Sequence, residues 1–172
     1  MAIEKNYSGI FGLQRRNTSL IYTSGLKYIM AIIYTDEIIT ATEYNELRNS
    51  VGWSVPTNRC AEQALAHSLY ICSAYQGQQI VGSGRVVGDG SLIFCIMDLM
   101  VHPDFQHRYG IGVRILHNIF HYLKVHACPE ADILGMAALG RERFYEKMGF
   151  VIRPTDSLGA GMVMPYAKLL KY

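Results

Sequence analysis

Val101-His-Pro-Asp-Phe-Gln-His-Arg-Tyr-Gly-Ile-Gly112 is the stretch on which the fold turns. Before it, Ser91 to Val101 reads as a strand. Ile93, Cys95, Met97, Leu99 and Val101 fall on one face, and Phe94, Ile96 and Met100 on the other. A strand apolar on both faces belongs in the middle of a sheet, and Asp98 is the exception on it. After it, Gly110 to about Ala127 reads as a helix, because Leu116, Ile119, Phe120 and Leu123 recur at i, i+3, i+4 and i+7. Pro129 follows soon after that helix ends. The first N–H groups of a helix have no intrahelical partner, and the helix dipole adds partial positive charge there. Gly110 and Gly112 let an anion approach the backbone, and Arg108 adds a full charge. A pyrophosphate fits that description. So does a second reading, a tight helix start that needs small residues for packing. The spacing is neither the GxGxxG of a dinucleotide fold nor the GK[ST] of a P-loop.

Working outward, Met30 to Thr35 reads as a first strand. Thr40 with Glu43 is a capping-box pattern, opening a helix whose apolar side carries Tyr44 and Leu47. A second helix is expected from about Asn58 to His67, on Ala61, Ala64 and Leu65. Leu69 to Tyr75 and Gln79 to Val87 read as strands joined by Gln76-Gly77-Gln78, and Gly88-Asp-Gly90 turns the chain into the strand from Ser91. Beyond the long helix come a strand at about 131–137 and a short helix at about 140–148, stopped by Gly149. A closing strand is expected at 160–165. The order β-α-α-β-β-β-α-β-α-β gives a mixed, mostly antiparallel α/β sheet flanked by helices.

The 172 residues suit one domain with a substantial core, and the composition, half hydrophobic and 17% charged, is globular. Residues 1–29 differ. They are rich in Ser, Asn, Thr and Gly, without a sustained period, and read as an extension or as sequence added for expression, ahead of a domain over 30–172. They carry Lys5, Arg15, Arg16 and Lys27 against Glu4, a net of +3, and the whole chain is +2, so residues 30–172 net −1. That balance gives a nucleic-acid role little electrostatic support, and no nucleic-acid partner is expected. Cys60, Cys72, Cys95 and Cys128 form no CxxC pair and match no zinc or disulfide framework, so neither a metal site nor an oxidised scaffold is expected. No apolar run reaches the roughly 18–20 residues of a membrane span, and a cytoplasmic location without membrane contact is expected.

The quoted stretch resembles motif A of the GNAT acetyltransferases, whose pattern runs V-x-P-x-x-Q/R-x-x-G-x-G/A. Arg143-Phe-Tyr-Glu-Lys-Met-Gly-Phe150 is similar to the FYEKxGF motif B of that family, in the same order and at its spacing. The resemblance spans roughly 30–165. It implies the acyl-CoA N-acyltransferase fold and an N-acetyltransferase that moves acetyl from acetyl-CoA to a primary amine of a small molecule. A protein N-terminal or lysine acetyltransferase, and a non-catalytic acetyl-CoA sensor, are the alternatives. It also implies a bulge that splays the strand before motif A. The backbone of Leu99, Met100 and Val101 would then pair with the pantetheine arm, and the amides of His107, Arg108, Tyr109, Gly110, Ile111, Gly112 and Val113 would hold the pyrophosphate. Tyr145 matches the family tyrosine placed beside the cofactor to protonate the departing thiolate, and its other reading is an aromatic partner of Phe144.

Asp98 is the sequence's own candidate for the base that takes the amine's proton. A structural carboxylate is the equal alternative, and His102 is a second candidate base. Two departures from the pattern stand out. Pro103 to Gly110 is one residue longer than usual, so that either Gln106 keeps the family role or His107 takes it. The position seven before Tyr145, often Asn in the family, is Ala138. Trp53 reads either as a wall of the acceptor site or as a core anchor under the first two helices. A homodimer through sheet edges or the tail from Pro165 to Tyr172 is left open.

Overall fold

A computed structural model describes residues 31–170, so the extension expected over 1–29 lies outside the described residues. Five strands form one sheet in the order β1 (Ile32–Thr35), β2 (Tyr70–Gln76), β3 (Gln79–Gly88), β4 (Ile93–Val101), β5 (Asp132–Gly135). The first four pair antiparallel in succession, and β5 joins β4 in parallel. The mixed, mostly antiparallel α/β sheet flanked by helices read from the sequence is therefore the one observed.

α1 (Ala41–Ser50) begins where its capping box requires. The Glu43 N–H donates to Thr40 Oγ1 at 3.2 Å and the Thr40 N–H to Glu43 Oε2 at 2.9 Å, which satisfies two amides at the helix start. α2 (Asn58–Ala66) is capped by Thr57, and Asn45 ties the two helices by donating to Pro56 O at 3.1 Å and Asn58 Oδ1 at 2.9 Å. Both helices bury one side against the sheet, through Tyr44, Leu47, Ala61 and Leu65 with Ile71, Ile80 and Met100. The other face belongs to α3 (Ile111–His126), whose Ile111, Ile115, Leu116, Ile119 and Leu123 pack on Val81, Val86, Phe94 and Ile96. β3 carries no side chain at Gly82, where an added Cβ would come within 2.9 Å of Ile111 Cγ2, so α3 rides close on the strand.

Ile119 is fully buried at the centre of that contact. Ile119→Ala removes transfer energy and leaves a cavity, at a cost of about 2–5 kcal/mol. The check is a urea unfolding curve, whose midpoint should drop while its slope stays the same.

The structure departs from the sequence reading at two places. No strand forms over 160–165. These residues are exposed, and the chain enters the short α5 (Tyr166–Leu169) instead. Gly159 and Gly161 contribute no side chain that could anchor such a strand on the sheet. The faces of β4 also do not alternate throughout. Phe94 and Ile96 point to α3, but so do Leu99 and Val101, whereas Met100 points to α1 and α2. The pairing with β3 slips between Ser83↔Met100 and Arg85↔Met97, where Asp98 takes φ +50°. One extra residue in one strand exchanges the faces of everything after it.

Candidate functional site

The bulge at Asp98 stands where two strands part. β5 follows β4 from Ile93↔Asp132 to Ile96↔Gly135, and there the pairing stops. Beyond Gly135 the chain leaves the sheet through 136–141, with Met136 and Leu139 exposed. The β5-side edge of β4 from Met97 to Val101 therefore has no strand partner among the described residues, while its other edge stays on β3. Leu99, Met100 and Val101 all lie on this open length. One of its groups is engaged: Gln106 Nε2 donates to the Val101 carbonyl at 2.9 Å, and Arg141 Nη2 donates to Gln106 Oε1 at 3.3 Å. Gln106 thus braces the strand end. The extra residue before Gly110 is absorbed at His107, which adopts φ +61° and is exposed.

α3 starts directly after this loop. Gly110 is its N-cap at φ +62°, a conformation that favours glycine, and no side chain caps the helix. The first helical bond runs from the Arg114 N–H to the Gly110 carbonyl, so the amides of Ile111, Gly112 and Val113 lie outside the intrahelical ladder. Arg108 is exposed and makes no ion pair among the described residues, and Tyr109 is exposed beside it. At Gly112 the packing reading fails. An added Cβ would meet Val101 Cγ2 at 3.5 Å and the Phe144 ring at 3.8 Å, ordinary contacts that the protein itself would tolerate. What the glycine leaves is a backbone amide with no side chain of its own at the start of α3, with Val101 of β4 and Phe144 of α4 (Glu142–Glu146) as its nearest neighbours. A phosphate-bearing ligand with an extended arm fits these residues: bare amides and Arg108 at one end, an unpaired strand edge along the other.

Tyr145 sits on α4 at the β5 side of the fork. Its ring meets Phe150 edge-on at 5.5 Å, and Phe150 packs over Gly135, the last paired residue of β5. Phe144 is also an edge-on partner, at 5.2 Å. The Tyr145 hydroxyl makes no hydrogen bond among the described residues, and burial pushes its pKa above the ordinary 10.0, so it rests as a proton donor.

Asp98 is placed otherwise than a base requires. Its Oδ2 accepts from Arg85 Nε at 2.6 Å and from the Tyr44 hydroxyl at 2.7 Å, and its Oδ1 accepts from Arg48 Nη1 at 3.0 Å. The side chain is 10% exposed. Both oxygens are committed, so the sequence-based assignment of Asp98 as base gives way to a structural carboxylate. Arg48 also donates to the Ser54 carbonyl at 2.8 Å and lies over the Trp53 ring at 5.4 Å, while Trp53 packs against the α1–α2 core as an anchor. Arg85 reaches the Ala64 carbonyl and Ser68 near the end of α2. Burial first, then the Asp98 carboxylate, raises the pKa of the Tyr44 phenol, which keeps it a donor. His102 accepts the Asp104 N–H at Nδ1 at 3.3 Å, a turn-forming contact.

Sequence reasoning missed Arg48, Arg85 and Tyr44. The signal was there: Arg85 is a lone charge in an apolar strand, as Asp98 is, and Tyr44 and Arg48 are one helical turn apart.

Known proteins share this fold. The family model described as an acetyltransferase (GNAT) domain matches residues 66–152. A probable acetyltransferase of unknown function from meticillin-resistant Staphylococcus aureus is 30% identical, with a TM-score of 0.72 over 79% of this chain and 100% of that one. A GNAT family acetyltransferase from Streptococcus pneumoniae is 31% identical, with a TM-score of 0.66 over 79% of this chain and 99% of its own. An uncharacterized N-acetyltransferase, ycf52, of Porphyra purpurea is 29% identical over 131 residues, 70% of each chain. Among the described residues no helix is long and apolar enough to cross a membrane.

Proposed function

The chain belongs to the GNAT acetyltransferases, and from that premise we propose that it transfers an acetyl group from acetyl-CoA to a primary amine of a small molecule. The observation that carries this reading is the fork between β4 and β5 beside an uncapped, glycine-opened helix start. The amides of His107 to Val113, with Arg108, would hold the pyrophosphate, and the open edge from Leu99 to Val101 would hold the pantetheine arm. When bound, the donor supplies an activated thioester.

The chain's own work is orientation and proton handling. The fork aligns the donor, and a neutral amine attacks it directly, without a covalent link to the protein. Tyr145 donates its hydroxyl proton to the departing sulfur as the C–S bond breaks, and regains a proton from solvent. The amine's proton leaves to water, since Asp98 is committed to two guanidiniums.

Tyr145 sets one pH limit. Its pKa is raised, so the proton-bearing form still predominates at pH 10.0 and is lost as pH rises through the shifted value. Turnover at saturating acetyl-CoA should therefore show no falling limb from this group near neutrality, only a loss on the alkaline side. A falling limb near neutrality that disappears in Tyr145→Phe would contradict that.

The test of the function itself is thiol release from acetyl-CoA against a panel of small primary amines and a panel of peptides. Release with amines and not with peptides supports the reading, and the reverse preference moves the acceptor to protein. Binding of acetyl-CoA without release on either panel makes the chain a sensor.

A further inference from the structure

Asp98 is a non-glycine residue with φ +50° inside a strand, a conformation that is uncommon and strained for most side chains, though less so for Asp. The same residue carries the most heavily bonded side chain near the fork, gripped from β3 by Arg85 and from α1 by Arg48 and Tyr44. It also lies two residues past Ile96, the last residue of β4 paired with β5. A strained backbone persists only where its surroundings over-determine it, and here three donors on two other elements fix one side chain. If the grip loosened, residue 98 would relax toward ordinary extended geometry. The register of Leu99, Met100 and Val101 would then shift, because a one-residue slip turns each of them to the opposite face.

We propose that Asp98 is a positioning residue: the Arg85–Arg48–Tyr44 grip on its carboxylate holds the β4 bulge in its left-handed form and so presents the Leu99–Val101 edge to the acetyl donor. The proposal rests on the donor site described above. It differs from a base, which would touch the amine. It also differs from a plain stabilising ion pair, which would be indifferent to the backbone angle.

Asp98→Ala and Asp98→Gly separate these roles. Both remove the carboxylate and leave the same two guanidiniums unpaired, but glycine accepts φ +50° without strain and alanine does not. Acetyl-CoA dissociation constants are measured by calorimetry well below each variant's melting temperature. Alanine should weaken binding by about tenfold or more, and glycine should stay within about threefold of the parent. Equal weakening in the two variants overturns the proposal in favour of the ion pair alone, and unchanged binding in both overturns it outright.

Amide hydrogen exchange at Leu99, Met100 and Val101 in the ligand-free chain gives a second reading that does not need the donor. The alanine variant should exchange faster there than the glycine variant, and equal rates overturn the proposal even if the parent fails to bind acetyl-CoA, a result that would count against the donor site alone. Should the alanine variant not fold, Arg85→Lys, which keeps residue 98 and removes the 2.6 Å bond, should speed exchange at the same three amides. Unchanged exchange there also overturns the proposal.

Discussion

Replacing Tyr145 with Phe should lower kcat by about a hundredfold while leaving the acetyl-CoA dissociation constant within a factor of about two, because a positioned proton donor contributes roughly 10²–10⁴ in rate. The substitution removes one oxygen and keeps the ring. The edge-on contacts with Phe144 and Phe150 survive, and so does the packing of Phe150 over Gly135. No hydrogen bond within the described residues is lost, since the hydroxyl makes none, so stability should hardly change. The comparison is steady-state kinetics beside a melting curve. A large kcat loss with an unchanged melting temperature assigns the hydroxyl to chemistry. Equal kcat in the two proteins would leave Tyr145 as an aromatic partner only.

The second large effect runs in opposite directions for stability and binding. Gly112→Ala should raise the stability of the ligand-free protein by up to about 1 kcal/mol, the usual gain of alanine over glycine within a helix. The added Cβ meets nothing closer than 3.5 Å, so there is no clash to offset that gain. The same methyl would stand at the first turn of α3, where the proposed site has the donor's phosphates approach the backbone. Acetyl-CoA binding should fall by about tenfold or more, equivalent to roughly 1.4 kcal/mol. A more stable protein with unimpaired binding would show that the glycine has no part in the site. Few substitutions distinguish so cleanly between a residue kept for the fold and one kept for a ligand.

Much of the fold was legible because its signals are local. The strand from Ser91, the long helix after Gly110 and the Thr40–Glu43 capping box each lie within one element, and each formed close to where it was read. The two motif stretches carried the family by resemblance, one at the turn between β4 and α3 and the other along α4 and the turn that ends it. The bulge was not legible in the faces of β4. Alternation over apolar residues counts one residue per step, and nothing within 91–101 marks the residue that breaks the count except Asp98 itself.

The role of Asp98 could not be settled by its neighbours in sequence. Its partners Arg85 and Arg48 stand 13 and 50 positions away, and only the stacking of α1 and β3 around the bulge brings them to one carboxylate. Without them a buried-looking acid in an apolar strand reads equally as a base or as a structural carboxylate. The strand expected over 160–165 did not form because apolar residues in a row state only a preference, and Gly159 and Gly161 bring no side chain to pack.

The central claim is that the fork and the open helix start form an acetyl-CoA site, and calorimetric titration of the whole chain with acetyl-CoA tests it most directly, with dephospho-CoA and free adenosine diphosphate as comparisons. Saturable binding at one site per chain is the predicted result. No heat of binding at millimolar acetyl-CoA would contradict it, and would mean that the residue absorbed at His107 has closed the site.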